Sequence, residues 1–338
     1  MKHVTQPSRR AVALACVAFV SGIVRVPVAL AKPPGHSVRI GILTNVPGAF
    51  DPESNPFARE FVAGLNDLGY TPGRDVVLDY KTANGDSAVL PLLAAELANS
   101  KPDMLVTTAA PATLAAAKAT KTVPIIMVGA PDVVETGLVA SLAHPGGNIT
   151  GLAINAAEVS AKRVQLLQEA VPHLSRVGVL WNASLPGMAL GFQNIEKASP
   201  QLGLTIQSVR VTGSDQFDQA FATIESGRPE GLVVLYGPLR DEDLPRIVEF
   251  VTRRKLPTIF ELGQGIRGGG LMEFGPDRAR MFRRAAAYVD KIANGADPAT
   301  LPIEEPSEFE LVINLKAANS MGFEVPHSLL LRADRVIE

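Results

Sequence analysis

Residues 101–132, KPDMLVTTAAPATLAAAKATKTVPIIMVGAPD, read as strand, polar turn, short helix, strand and a second polar turn. The Asp103–Val106 run shows no polar alternation, the pattern of a strand covered on both faces in a parallel sheet. Thr107, Thr108, Ala109 and Ala110 follow it, and Pro111 then suits the first position of a helix. No Asp or Asn stands ready to cap that helix, and free amides at a helix start attract a carboxylate or phosphate. The second strand, Val123–Val128, ends in Gly129-Ala130-Pro131-Asp132. Ligands of open α/β sheets bind at such carboxyl ends. Two readings stay open at this point: an anion site, or small residues that do no more than make tight turns.

The same unit repeats outward in both directions. Upstream, Val38–Leu43 and Val76–Tyr80 read as strands, and Pro56–Leu68 and Asp86–Ala98 as helices, which gives βαβαβαβ and a parallel sheet. Downstream, Pro145-Gly146-Gly147 breaks the pattern, Ser160–Ala170 is helical, and the unit restarts at Arg176–Trp181. A helix near Met188–Leu202, a strand at Thr205–Val211 and a helix at Asp215–Ile224 with Ser214 as its cap follow. Then come a strand at Gly231–Tyr236, a helix at Asp241–Arg254 and a strand at Pro257–Phe260. RIGILTN (39–45) and RVGVLWN (176–182) open the two halves with one phrase, so two similar parallel sheets are expected. The tail adds a helix at Met281–Ala293, a strand around Glu310–Ile313 and a helix at Leu315–Ser320. This late material must return to sheets already formed, and repeated crossing between domains makes a hinge.

Residues 1–31 read as a secretory signal, with a basic start at Lys2, His3, Arg9 and Arg10, an apolar core and Ala29-Leu30-Ala31 at the cleavage site. The core is too short to span about 30 Å of hydrocarbon. Removal of this leader takes with it Cys16, the single cysteine, and leaves a chain without thiol or disulfide chemistry, beginning near Lys32. The 338 residues suffice for about two domains. A net charge of −2 argues against a nucleic-acid or anionic-membrane partner.

If the halves face each other, six strand ends line one cleft: Thr44-Asn45, Thr107-Thr108 and Gly129-Ala130 from the first, Trp181-Asn182, Tyr236-Gly237 and Glu261 from the second. Trp181 either closes over a ligand or fills core. Asn182 and Tyr236 suit a small polar ligand. Glu261 either holds an amine or pairs with Arg267 in solvent. Gly263, Gly265 and Gly268 have the G-x-G-x-x-G spacing of a dinucleotide site, but no amphipathic helix opens from them, so a flexible turn is expected. No nucleophile elbow, phosphate loop or zinc motif is present, and the histidines are scattered singly.

GLVASLAHPGGNITG (137–151), RVGVLWN (176–182), GGLMEFGPD (269–277) and FELVINLKAANSMG (309–322) together resemble the ABC-transporter substrate-binding family that includes tryptophan- and tyrosine-type uptake proteins. The resemblance implies a type I periplasmic binding fold: α/β, two doubly wound parallel-sheet lobes joined by a three-crossover hinge. Residues 37–153 and 275–300 would form the N-terminal lobe, and 154–274 and 301–338 the C-terminal lobe. It implies a monomer in the periplasm that binds a small carboxylate ligand, aromatic amino acids being typical where the family's ligands are assigned, and delivers it to an inner-membrane permease with its ATPase. It implies neither catalysis nor a cofactor. The turn from Thr107 to Thr113, with Ala109 and Ala110, resembles the family's carboxylate-binding helix start, and Asn182 its polar residue in the second lobe. The family usually places an acid before the proline of the fourth turn; here Pro131 precedes Asp132, so Asp132 and Glu261 compete as partners of a ligand amine. A sensory module for a membrane receptor would share this fold, and a nucleotide-binding enzyme would need the glycine turn.

Overall fold

A computed structural model describes Met1 and residues 37–46, 48–235, 243–261, 263 and 265–338. The expected leader lies outside the described residues. The chain from Val38 runs β1 (Val38–Thr44), α1 (Pro56–Asp67), β2 (Val76–Thr82), α2 (Leu90–Asn99), β3 (Met104–Thr108), α3 (Ala109–Ala119), β4 (Ile125–Pro131) and β5 (Ile149–Ile154). Their strands form one sheet in the order β2-β1-β3-β4-β5, parallel throughout. Central β3 is buried at every position, which is why its sequence shows no alternation.

The second half runs α4 (Ala156–Ala170), β6 (Arg176–Asn182), α5 (Pro186–Ala198), β7 (Thr205–Val211), α6 (Phe217–Gly227), β8 (Gly231–Leu235), α7 (Asp243–Arg253), β9 (Thr258–Glu261) and β10 (Met272–Pro276). After α8 (Arg278–Ala293) come β11 (Phe309–Asn314), α9 (Leu315–Met321), α10 (His327–Leu330) and β12 (Arg335–Ile337). The second sheet has the order β12-β11-β10-β9-β8-β6-β7, with β10–β11 the antiparallel pair. The glycine-rich turn leads into β10, which opens at Met272. Ser214 does not cap α6: residues 214–216 form a 3-10 turn and Gln216 takes the cap position.

The chain passes between the sheets three times, after Ile154, after Pro276 and after Glu304. At the last passage the Glu304 backbone pairs with β5, the Ala153 N–H donating to its carbonyl at 2.9 Å. Between the second and third passages α8 packs on α1, β4 and β5. Its buried face, Met281, Phe282, Ala285, Tyr288 and Val289, completes the core of the first sheet. Each large side chain buried there contributes about 1.5–3 kcal/mol. Gly64 of α1 permits the approach, since a Cβ at that position would lie 2.5 Å from the Arg283 carbonyl oxygen. The Tyr70 hydroxyl donates to Asp290 at 2.9 Å and fixes the register of the returning helix.

Candidate functional site

Two adjoining cavities open at the carboxyl ends of the strands. The first, of about 450 Å³, is largely apolar and is walled by α2, α3 and the end of β4 on one side. On the other it meets α4, the start of α5, Glu261, and Arg278 at the start of α8. The second, of about 570 Å³, is polar and carries Asn45, Asp86, Asn182, Asp215 and Asp243. Both touch Ser87, Ala88, Pro111, Ser184 and Leu185, so they are two chambers of one cleft.

Helix starts with and without side-chain caps both reach this cleft, and α2, α6 and α10 also begin without one. Asn55, Asn155, Asp277 and Asn314 cap α1, α4, α8 and α9 with side-chain oxygens. The starts of α3 and α5, one from each sheet, have no side-chain cap, and both line the apolar chamber. Two sets of end amides with their partial positive charge therefore reach one cavity. The first helix begins two residues before the expected Pro111. Ala109 takes up the turn with φ of 54°, an uncommon left-handed conformation for a residue with a Cβ. Such strain persists only where surrounding structure enforces it.

Ala109, Ala110 and Glu261 line the apolar chamber, and Asn45 and Asn182 the polar one. The threonines of the turn do not. Thr107 and Thr113 are fully buried with their hydroxyls 2.8 Å apart, and Thr113 also donates to the Ala109 carbonyl. Thr108 donates to Thr44, which accepts from the Val46 amide as well. These hydroxyls hold the turn in shape and are occupied. Ala130 points into the core while its neighbours Gly129 and Pro131 line the cavity, as strand alternation demands.

Asp132 is also turned away from both chambers. Its Oδ1 accepts from the Ala156 amide at 3.0 Å, which ties the end of β4 to the start of α4, and its Oδ2 is buried without a partner. Burial pushes this carboxyl up to about 6; the Ala156 amide opposes the shift, and Glu135 and Glu305 add to it. Trp181 stacks on Phe192 with ring centroids 4.9 Å apart, donates to the Ser208 hydroxyl and packs on the core of the second sheet. The core reading of this residue is the one the geometry supports. Asn182 accepts from the Ser184 amide and hydroxyl, and Asn45 donates to the Ser87 hydroxyl. Tyr236 lies outside the described residues, as does the Arg267 side chain.

Glu261 is buried, not solvated, and faces Arg163 of α4 at 3.7 Å. Arg163 donates from Nε to the Phe274 carbonyl at 2.9 Å. Burial lowers its pKa, Glu261 opposes that, and neighbouring Arg278 lowers it further. Neither arginine was read as a site residue. For Arg163 a signal existed, because it falls at helical spacing between Val159 and Leu167, on the buried face of its helix.

The glycine-rich turn is closed to a nucleotide by the protein itself. The Glu273 carboxylate, 1% exposed, accepts from Gly263 N at 2.9 Å and Ile266 N at 2.6 Å, so the amides that would cradle a phosphate already hold an anion. Gly265 and Gly270 press on the Phe260 ring, where a Cβ would overlap it. Among the described residues no group of His, Cys, Asp and Glu could hold a metal ion, and no helix is long and apolar enough to cross a membrane.

Two doubly wound lobes, three passages between them and a cleft at their strand ends define a type I periplasmic binding fold. The family model for the ABC transporter substrate binding protein matches residues 56–337, and the chain belongs to that family. Over 290 residues it is 24% identical to a tyrosine-binding protein of Clostridioides difficile, covering 84% of this chain and 82% of the relative. A Streptococcus pneumoniae ABC domain in complex with L-Trp superposes with a TM-score of 0.81 at 24% identity, covering 89% of this chain and all of that one. The ligand-free, open structure of a substrate-binding protein with adhesive properties from Clostridium difficile gives 0.67 at 22% identity, covering 89% and 99%. These are solute-binding proteins, and this chain is a binding protein and not an enzyme.

Proposed function

We propose that this protein is the periplasmic solute-binding component of an ABC uptake transporter, exported by removal of residues 1–31. It takes a small carboxylate-bearing ligand, with an aromatic amino acid as the expected example, into the apolar chamber and delivers it to an inner-membrane permease served by an ATPase. Residues 37–154 and 277–304 act as one lobe, and 155–276 and 305–338 as the other, the boundaries following the three passages between the sheets. One observation carries the reading: two helix starts without side-chain caps, one from each lobe, meet a single apolar cavity. A ligand that satisfies both sets of amides favours closure, because only the closed arrangement presents both. The tyrosine-binding relative supports an aromatic body for that ligand.

The test is native mass spectrometry of gently purified protein, followed by small-angle scattering. A bound acid of a few hundred daltons, with a smaller radius of gyration when it is present, is the expected result. A chain that carries no small molecule and does not compact with tyrosine or tryptophan overturns the proposal. Mass spectrometry of exported material also checks the leader, with a mature chain beginning near Lys32 expected and an intact Met1 contradicting it.

A further inference from the structure

We propose that Arg278 is the ionic anchor of the cleft, pairing with the carboxylate of a ligand whose remaining body is apolar. The proposal deepens the solute-binding reading and rests on it.

The evidence is a charge placed against its surroundings. The helix α8 carries four arginines, and three have acidic partners. Arg280 pairs with Asp277 at 3.3 Å and with Glu308. Arg283 pairs with Glu60 at 3.0 Å and Asp67 at 2.5 Å, and Arg284 makes two 2.7 Å hydrogen bonds to Glu304. Among the described residues Arg278 has no hydrogen-bond or ion-pair partner, yet it lines the apolar chamber.

Three local effects make that position unfavourable. Arg278 is the first residue of α8, where the helix dipole disfavours a cation. It stands near enough to Arg163 to lower that residue's pKa, so the two cations repel. The adjacent acid, Asp277, gives its Oδ1 to the amides of Ala279 and Arg280 and its Oδ2 to the Arg280 guanidinium. Among the described residues that line the chamber Glu261 is the single acid, against Lys118, Arg163 and Arg278, and it faces Arg163. Lys118 has a separate explanation, since it sits in the last turn of α3, where a cation is favoured. The chamber thus holds an uncompensated positive charge in apolar walls, and a monocarboxylate supplies the missing anion. Guanidinium and carboxylate match in a two-point hydrogen-bonded pair, which gives direction as well as charge.

The experiment titrates the full mature protein by calorimetry with L-tyrosine, 3-(4-hydroxyphenyl)propionate and tyramine, which keep or remove the carboxylate on one ring. Binding of the first two and none of tyramine is expected. Arg278→Gln is expected to weaken the carboxylates about tenfold to a hundredfold, with Arg278→Lys between it and the parent. Unchanged melting temperatures in both variants show that the loss is not unfolding, as expected for a side chain without internal partners. Carboxylates that bind Arg278→Gln as tightly as the parent overturn the anchor and leave the carboxylate reading intact, with the helix starts as the remaining site. Tyramine binding as well as tyrosine, or no binding of either carboxylate to the parent, overturns both.

Discussion

The turn after β3 and the glycine-rich turn after β9 both offer backbone amides at the carboxyl end of a parallel strand. Glu273 fills the second from within, and its carboxylate is buried against Gly263 and Ile266. The first begins a helix with no side-chain cap, and its alanines face a cavity. Glycine spacing alone marks a turn that an internal acid already fills. What separates them is whether an internal acid reaches the amides: where one does, the turn is structural, and where none does, the amides stay available to a molecule from outside.

The largest expected effect tests the filled turn. Glu273→Ala strips a buried carboxylate from two amides and should cost about 3 kcal/mol, read as a lower urea midpoint at unchanged slope. A loss under about 1 kcal/mol would mean that the amides find water and that the turn is not held by this acid. Next, Ala110→Asp places a rival acid at the open turn. Carboxylate binding should fall at least about tenfold by calorimetry, while an acid in the first helical turn leaves stability level or raises it by about 0.3–1 kcal/mol. Equal affinity in parent and variant would show that the ligand does not use α3.

Asp132 is an intermediate case, an internal acid with one oxygen on the Ala156 amide and the other buried unpaired. Its folded pKa of about 6 stands above the ordinary 3.8, so the folded chain holds this proton more tightly than the unfolded one. Its contribution to stability therefore falls as pH rises through that window and stays low above it. Allowing for solvent screening of a half-buried group, the loss is about 1 kcal/mol. Asp132→Asn keeps an acceptor for Ala156, and its stability should change less than the parent's between about pH 4 and pH 7. Parallel pH profiles for the two proteins would remove Asp132 from the account. The smallest effect is at Trp181: with its ring stacked on Phe192, Trp181→Phe should shift ligand affinity less than about twofold, a difference of about 0.4 kcal/mol. A tenfold loss would place the indole against the ligand after all.

The two-sheet α/β fold was legible because strand and helix periods are local. RIGILTN and RVGVLWN announce two β–α repeats without any knowledge of what packs on them. Side-chain assignments at the turns were less legible. Thr107 and Thr113 have the right chemistry for a carboxylate, but a hydroxyl six residues away takes it up, and sequence does not say which of two partners a hydroxyl prefers. Glu261 reads from sequence as the holder of an amine or the partner of Arg267, whose side chain lies outside the described residues, and nothing local points to Arg163, almost a hundred residues earlier, which it faces.

The sequence by itself determined the class of fold, the repeat of two sheets and the strand ends at which a ligand would be sought, since each follows from spacing within about a dozen residues. Tertiary structure alone decided which helix faces α8 packs on, that Glu273 closes the glycine turn, and that Arg163 and Arg278 line one cavity. Those outcomes depend on packing between segments far apart in the chain, and local periodicity records only that a face is buried, not what it is buried against.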